Sequence, residues 1–367
     1  MEIAKIQVKC RVIFSLIILS VVYVSVSLFK AEEFKKLPHF NKADDTALFW
    51  TESALQYRYA KMVASGESIP WHDDKVQWPE GIDVFKHFTP GMELVSGYSY
   101  RLFKNVFPSL PFHLYLIYFV SFFSSLSIGA VYLIGRCLWQ GNMSALFPAL
   151  FYAVSTPSFI RTVKGYSRED FALPLIFFSL YFFISSLKKG ENKRNFIQVS
   201  ISGMLLGVAL ASWHFTRFYF FIFVAGVAVV YVFQKETKEL MQSFFILNLF
   251  CLFSGLLVPV LRTKLFLLSP PVLLAYLMLL VSFQRFYLSL SPVKKILIIG
   301  IGGVILVSLS GIFLQGPSYG HVWSLFKEKL LLLGQKPEDP SLLPYHARVL
   351  CCLLYTSPSP RDLSTSR

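Results

Sequence analysis

The feature that most constrains this chain is a succession of apolar runs, each near the roughly 20 residues that a helix needs to cross a bilayer. The first run covers residues 12–29. Further runs begin near the following residues: Pro111, Met143, Phe171, Phe196, Phe218, Leu240, Leu265 and Ile296. Because only helices and closed barrels span hydrocarbon, we predict an all-α polytopic membrane protein with about nine helices.

Composition supports a lipid environment rather than a soluble fold. Hydrophobic residues make up 54% of the 367 residues and charged residues only 15%, against about 25% charge in a soluble domain. The net charge of +14 could indicate nucleic acid, but the cations sit in short loops between apolar runs. We therefore predict membrane lipids, and no nucleic acid, as partners. The 5 cysteines have the spacing of neither a metal site nor a disulfide framework.

The distribution of lysine and arginine predicts the orientation in the membrane. The first run could be a signal peptide, but it is longer than a typical h-region and no small-residue cleavage motif follows it. With the N-terminus in the cytoplasm, short loops carry thirteen Lys and Arg on the cytoplasmic side and six on the other, as the positive-inside rule requires. This orientation puts residues 30–110, 158–170 and 315–350 on the outer (periplasmic, extracellular or lumenal) face.

The end of the sequence differs from the rest. Residues 351–367 read CCLLYTSPSPRDLSTSR and have no helical period. We predict a membrane domain over residues 1–350 followed by a non-native tail, so that the chain is a fragment. A disordered polar tail is the alternative interpretation.

Acidic residues gather in the first long polar segment. Asp44 and Asp45 precede Glu52 and Arg58, and residues 44–64 are predicted to form a helix with its acids near the N-terminus, where the dipole favours them. These carboxylates are candidates for catalysis. The alternative is an interfacial amphipathic helix with ordinary solvated charges.

A second cluster, RTVKGYSRED, occupies residues 161–170. Glu169 and Asp170 are predicted at a helix N-terminus on the outer surface, where adjacent carboxylates could hold Mg²⁺ or Mn²⁺. Arg161, Lys164 and Arg168 could bind phosphate. This combination suits a metal-bound diphosphate. The alternative is a helix cap at the membrane boundary with snorkelling cations.

In order and sidedness these motifs resemble the catalytic subunit of oligosaccharyltransferase, a family with the GT-C glycosyltransferase fold. Glu52 stands where the family usually has Asp, a few residues before a Tyr-Arg pair that ends at Arg58. The 89–92 segment, TPGM, is similar to the family's turn before its second span. Residues 161–170 follow the layout of its second acidic motif. Trp213 is similar to a Trp-Gly element.

The sequence also departs from the family pattern. Arg168 occupies the position of the family's first acid in the second motif, and His214 replaces the glycine that follows the tryptophan. The mobile outer loop of the family carries a glutamate that engages the acceptor, and Glu338 is only a weak match for it. The family's outer globular domain, with its Trp-Trp-Asp motif, has no counterpart here, so we expect the fragment to be inactive.

The resemblance implies transfer of an oligosaccharide from a lipid diphosphate carrier to asparagine in an Asn-x-Ser/Thr sequon. It implies catalytic roles for Glu52, Asp45 or Asp44, and a metal held by Asp170, Glu169 and Asp45. Donor binding would fall to the cations of the second motif with Arg58 and Trp213. Two alternatives stay open: a GT-C enzyme with a lipid monophosphate sugar donor, and a membrane transporter or flippase.

Overall fold

The computed structural model describes residues 2–37, 40–48, 52–76, 79–139, 141–188, 192–234, 238–284 and 292–313. Helices dominate these ranges. They are α1 (Glu2–Lys35), α2 (Glu52–Ser65), α3 (Val84–His87), α4 (Gly91–Lys104), α5 (Phe112–Trp139), α6 (Asn142–Val154), α7 (Thr156–Lys164), α8 (Arg168–Ser186), α9 (Asn192–Ser212), α10 (Thr216–Phe233), α11 (Lys238–Leu257), α12 (Pro259–Thr263), α13 (Pro270–Gln284) and α14 (Pro292–Phe313). The chain divides into Met1–Ser310 and Gly311–Arg367, and everything below concerns the first unit. The predicted loop 315–350, with Glu338, and the predicted tail 351–367 lie outside the described residues.

The apolar runs form helices, as predicted, but not all of them are long. Six described helices are long and apolar enough to cross a membrane: Val12–Lys35, Phe112–Trp139, Arg168–Ser186, Asn195–Ser212, Thr216–Phe233 and Lys238–Leu257. Two further predicted spans are short, since α6 has 13 residues and α13 has 15. At 1.5 Å per residue, α6 is about 20 Å long, less than the hydrocarbon thickness. Ser155 and the proline at the start of α7 interrupt the helix there.

The first loop, which we define as residues 36–111, contains its own small structure. A 3₁₀ turn covers Thr46–Leu48, and α2 begins only at Glu52. The prediction of one helix over 44–64 is therefore wrong at its start. The physical reason is local: one carboxylate oxygen of Asp44 accepts hydrogen bonds from both the backbone N–H and the hydroxyl of Thr46, at 3.0 and 2.5 Å. Such a turn competes with helix formation.

A two-stranded antiparallel hairpin follows α2. Its strands are β1 (His72–Asp73) and β2 (Ile82–Asp83), with His72 opposite Asp83. The predicted turn at 89–92 comes next, but it leads into α4 rather than into the second span, which begins at Phe112. The first loop thus places three α-helices, α2, the one-turn α3 and α4, between the first two spans.

Helices α2 and α4 pack closely and cover the ends of the spans. A Cβ on Gly97 of α4 would collide with the side chain of Val63 of α2, so the two helices approach nearly to backbone contact. Against them packs a core of buried side chains from the first loop, α5, the α7–α8 connection and α8: Leu48, Tyr57, Ala60, Met92, Tyr100, Phe112, Tyr115, Leu116, Tyr166 and Phe171. This core holds the first loop against the spans and supports the site described next.

The spans themselves pack through small residues where they approach most closely. Gly203 and Gly207 of α9 face Phe250 and Ser254 of α11, with no room for a Cβ at either glycine. Helices in membranes commonly associate through this four-residue spacing of small side chains. A second core, built from α9, α10, α11 and α13 around Phe220, Phe244 and Phe266, lies on this side of the bundle.

Candidate active site

The second acidic motif docks on the start of α2. Gly165 separates α7 from α8 in extended backbone geometry, and a Cβ at this position would collide with the hydroxyl of Ser53. Ser53 is the second residue of α2 and follows Glu52 directly. The two motifs, more than 100 residues apart in sequence, therefore meet at one place. Glycine at this position lets the Ser53 hydroxyl pack directly on the backbone of the second motif.

Glu52, a predicted catalytic residue, is the first residue of α2. The N-terminus of a helix stabilises a carboxylate, because its free N–H groups and the helix dipole both favour negative charge. The side chain of Glu52 is outside the described part of the structure. Its backbone position, next to Ser53 and so next to Gly165, is what the structure establishes.

Asp45 is a partly exposed carboxylate with two partners on α2. One of its oxygens accepts hydrogen bonds from the Tyr57 hydroxyl at 2.7 Å and from the Lys61 ammonium at 2.6 Å. Burial alone would raise the pKa of Asp45, but the hydrogen bonds from Lys61 and Tyr57 outweigh it and lower the pKa. Asp45 is thus ionised at neutral pH. Asp44, in contrast, is exposed, and its hydrogen-bond partners within the described ranges are its neighbours Asn41 and Thr46.

Arg58, a predicted donor-binding residue, points to the hairpin. Its Nε and Nη2 atoms donate to the two oxygens of Asp73 at 3.0 and 3.2 Å. Asp73 is only 4% exposed, so this bidentate pair joins α2 to β1. The contact that the structure gives to Arg58 is therefore architectural.

Asp170 is buried within the protein, with only 6% of its surface exposed. The prediction of an exposed surface carboxylate is therefore wrong for Asp170, whereas the side of the membrane on which it lies stays a prediction. Its oxygens accept hydrogen bonds from Thr162 at 2.8 Å and from Ser167 at 2.6 Å. Both donors come from the same motif, so the motif folds back on its own acid. The neighbouring Glu169 lies half-buried in the first turn of α8.

A buried lysine stands behind Asp170. Lys30 of α1 is 3% exposed and donates to the Ser124 hydroxyl at 3.0 Å. Its ammonium group also interacts electrostatically with Asp170. A cavity of about 260 Å³ opens beside this network, lined by four serines, Tyr152, Asp170, Leu173 and Phe177. Charges buried this deeply are normally compensated by polar partners. The direct contacts of the two groups are hydroxyls, Ser124 for Lys30 and Thr162 and Ser167 for Asp170.

Arg168 and Glu93 form a second buried pair. Arg168 is the first residue of α8, and its Nε donates to Glu93 of α4 at 3.1 Å. Glu93 is fully buried. Burial raises the pKa of the Glu93 carboxyl, and the Arg168 charge acts in the opposite direction. The Arg168 guanidinium also lies 3.5 Å from the centre of the Phe88 ring, a cation–π contact. Beside this pair, the Tyr166 hydroxyl bonds to Ser96 at 2.6 Å.

The predicted metal ligands do not form a metal site in the described residues. No group of three or more His, Cys, Asp or Glu side chains among them could hold an ion. Asp170 is already bonded to Thr162 and Ser167, and one oxygen of Asp45 is taken by Tyr57 and Lys61. A divalent cation needs carboxylate oxygens that converge on one point, and these two acids bond to protein donors instead.

The remaining predicted site residues are placed as follows. Arg161 and Lys164 lie on α7, just before Gly165, and their side chains are outside the description. Trp213 lies in the turn between α9 and α10, with its ring 5.3 Å from that of Phe215. The structure thus brings the start of α2 and the second motif together, whereas Arg58 pairs with Asp73 of the hairpin.

Glu93 and Lys30 are the residues that sequence reasoning missed. Glu93 shares one helical face with Met92, Ser96 and Tyr100, all of which are buried. An acid on an apolar face needs a cation, and this periodicity could have predicted a partner. Lys30, at the end of a long apolar run, carried a comparable signal, since a charge beside a span is expensive unless paired.

The fold and the meeting of these two motifs define an all-α polytopic membrane protein of the GT-C class. The sequence model of the Dpy19 family, described as Q-cell neuroblast polarisation, matches residues 14–336. The chain therefore belongs to the Dpy19 family.

The resemblance to oligosaccharyltransferase is also confirmed. The chain is 31% identical over 128 residues to the dolichyl-diphosphooligosaccharide–protein glycosyltransferase subunit stt-3 of Caenorhabditis elegans. The aligned region covers 34% of this chain and 16% of stt-3. The archaeal oligosaccharyltransferase AglB from Archaeoglobus fulgidus, solved with an inhibitory peptide and a dolichol-phosphate, has the same fold. Its TM-score is 0.54 at 15% identity, over 88% of this chain and 40% of AglB. This chain thus spans less than half the length of these relatives.

Proposed function

We propose that the full-length protein is a membrane glycosyltransferase, which moves a sugar from a lipid phosphate carrier to a protein acceptor at the outer face. One observation carries this proposal: Gly165 packs on Ser53, so the predicted catalytic acid and the cationic second motif lie side by side. Such a pairing suits a reaction in which a carboxylate orients the nucleophile and cations stabilise a phosphate leaving group.

The proposed chemistry needs two kinds of residue. Glu52 would accept hydrogen bonds from the acceptor and orient its attack on the anomeric carbon, with Asp45 as the second candidate. The bond from that carbon to the phosphate oxygen breaks, and the departing lipid phosphate gains negative charge. Arg168, together with Arg161 and Lys164, would stabilise that charge. An electrostatic contact of this type is commonly worth about 3–4 kcal/mol.

The finer proposal is the oligosaccharyltransferase reaction. Its donor is a lipid diphosphate oligosaccharide, and its acceptor is asparagine in an Asn-x-Ser/Thr sequon. The match to stt-3 supports it, as does the order of the motifs. The predicted Mg²⁺ or Mn²⁺ belongs to this reaction, with Asp170, Glu169 and Asp45 as the proposed ligands. Asp45 and Asp170 do not fit that role in their described contacts, so we derive no step through a metal.

A lipid monophosphate sugar is the second candidate donor, and a specific observation favours it. Arg168 stands where the oligosaccharyltransferase motif has its first acid, and Glu93 pairs with it. An arginine in place of a metal-binding acid suits a single phosphate, which carries less charge and can be neutralised by cationic side chains alone. Membership of the Dpy19 family is consistent with a donor different from that of stt-3.

A transfer assay tests both candidates. The full-length protein, reconstituted in liposomes, is given a lipid diphosphate oligosaccharide or a lipid monophosphate hexose, each with a mixture of acceptor peptides and with or without EDTA. Mass spectrometry then identifies the modified residue. Transfer from the diphosphate donor to asparagine, abolished by EDTA, supports the oligosaccharyltransferase reaction. EDTA-resistant transfer from the monophosphate donor supports the second candidate. Modification from neither donor contradicts the proposed function and favours a transporter or flippase.

The orientation is part of the proposal. A cytoplasmic N-terminus, as the Lys and Arg distribution predicts, puts the first loop and the second motif on the outer face. Single cysteines introduced at Asp44 or at Glu80 in the first loop should react with a membrane-impermeant reagent added from outside. Labelling only after permeabilisation would show that the first loop faces the cytoplasm, the opposite of the predicted orientation.

A further inference from the structure

We infer that Glu93 is a positioning residue, which fixes the Arg168 guanidinium so that it binds the phosphate of the lipid carrier. The inference rests on the proposed function and deepens it by giving Glu93 the role of orienting Arg168, which was already proposed to stabilise the phosphate. Glu93 belongs to neither acidic motif and lies 75 residues before Arg168 in sequence.

Two contacts hold the guanidinium from different directions. The Glu93 carboxylate accepts from Nε at 3.1 Å, and the Phe88 ring lies 3.5 Å from the guanidinium carbon. Both partners are buried, Glu93 completely and Phe88 to within 6%. Because the guanidinium is planar, a hydrogen bond at one edge and a ring against its face define its orientation.

The pair leaves polar atoms without partners among the described residues. Arg168 Nη2 and Glu93 Oε2 are both buried and make no hydrogen bond there. A guanidinium has five N–H donors, and this contact uses one. A buried donor without an acceptor is costly, so an arrangement that fixes Arg168 and leaves Nη2 unsatisfied is suited to an incoming anion.

The backbone around Arg168 favours the same ligand. Arg168 begins a 19-residue helix with Ser167 at its N-cap, and the N–H groups of a first helical turn are unpaired within the helix. Helix N-termini of this kind bind phosphate. The helix end alone would not indicate a site, because many helices begin at a protein surface. A phosphate site is indicated because this helix end coincides with a buried guanidinium that is held in place and has an unsatisfied donor.

A purely architectural role is the competing explanation. The Glu93–Arg168 pair joins α4 to α8, and a clamp of that kind would affect every property of the folded protein alike. A positioning role makes a narrower prediction: the pair affects binding of a lipid that carries a phosphate and leaves binding of the same lipid without phosphate unchanged.

The experiment measures binding, so that it does not depend on transfer. Full-length protein in lipid nanodiscs is titrated with dolichyl phosphate and with dolichol, and both dissociation constants are determined. The variants are Glu93→Ala, Glu93→Gln, Glu93→Asp and Arg168→Lys. The control is Glu32→Ala, since Glu32 is an exposed acid of α1 paired with Lys35. Loss of transfer with intact phosphate-dependent binding would count against the proposed reaction but not against this site.

Positioning predicts a specific pattern. Glu93→Ala should raise the dissociation constant for dolichyl phosphate about tenfold, the loss of roughly one charge-assisted hydrogen bond, and leave dolichol unaffected. Glu93→Gln keeps an oxygen within reach of Nε and should restore most of the affinity. Glu93→Asp keeps the charge but shortens the reach, and should bind poorly. Arg168→Lys should match Glu93→Ala, and the double variant should be no worse than either, because the two residues act as one unit.

Three results would overturn the inference. One is a folded Glu93→Ala protein with wild-type affinity for dolichyl phosphate. Another is an equal loss of affinity for dolichol, which indicates a structural clamp. The third is Glu93→Asp binding better than Glu93→Gln, which indicates that charge rather than geometry matters. If Glu93→Ala does not fold, the comparison of Glu93→Gln with Glu93→Asp decides the matter alone.

Discussion

The carboxylates of the first loop and those around the second motif differ in solvent exposure and in the burial of their partners. Asp45, in the first loop, is 23% exposed at its side chain and is held by the exposed Lys61. Glu93 and Asp170, around the second motif, are buried and are held by buried partners. A partly exposed acid such as Asp45 can exchange its protein partner for a substrate at lower cost than a buried acid. The difference suggests that the first loop meets the reacting groups and that the second motif supplies a rigid, cationic support.

Breaking the buried pair should have the largest effect on stability. Arg168→Met leaves Glu93 buried without a cation, which should lower the free energy of unfolding by about 3–5 kcal/mol. Thermal unfolding of the full-length protein in detergent measures this. The double variant Arg168→Met/Glu93→Gln should recover most of the loss, since it removes both charges. If Arg168→Met alone were as stable as the wild type, the buried pair would not stabilise the fold, and the contrast with Asp45 would be lost.

Crowding the contact between the motifs should have an intermediate effect. Gly165→Ala places a Cβ against the Ser53 hydroxyl, and the cost should be about 1 kcal/mol, at the low end for overpacking, because that hydroxyl can rotate away. The same displacement should reduce transfer more than it reduces stability. Ser53→Ala in the Gly165→Ala background should restore both. Failure of that rescue would mean that the two motifs do not need this contact.

Neutralising the exposed acid should separate stability from activity. Asp45→Asn should change the free energy of unfolding by no more than about 1 kcal/mol, as expected for an exposed ion pair. Because the pKa of Asp45 is lowered, its contribution is present above the unfolded pKa and is lost as pH falls through the folded value, below about pH 4. Unfolding curves of wild type and Asp45→Asn should therefore converge in acid. Asp45→Asn with a stability loss as large as that of Arg168→Met would remove the contrast between the motifs.

The smallest effect concerns a pair that is wholly at the surface. In the hairpin, the Asp83 carboxylate and, further, that of Asp74 raise the pKa of His72 despite some desolvation. The contribution of this pair is present below the unfolded pKa of about 6.5 and is lost as pH rises through the folded value. The protection of hairpin amides, taken relative to their intrinsic exchange rates at each pH, should thus fall modestly above neutral pH. Asp83→Asn should remove that dependence, and an unchanged profile in this variant would exclude the pair as its source.

How much of this could be predicted from sequence depends on whether the cause is local. Long apolar runs predicted the six helices that are long enough to span, but they also predicted spans at α6 and α13, which are shorter. The carboxylates of Glu169 and Asp170 correctly marked the start of α8. The start of α2 was wrong because a side-chain hydrogen bond of Asp44 forms a turn there. Helical periodicity places Glu93 on a buried face and so indicates that it needs a cation, but the choice of Arg168, 75 residues away, depends on tertiary packing. The burial of Asp170 depends on tertiary packing too.

The most direct test of the account is the transfer rate of Glu52→Gln in the full-length protein, measured alongside its affinity for dolichyl phosphate. Glu52 is proposed to orient the acceptor, while Arg168 is proposed to bind the donor phosphate. We therefore expect transfer to fall by about 100-fold or more, with dolichyl phosphate binding unchanged. Transfer at the wild-type rate would contradict the claim that the start of α2 and the second motif form one active site.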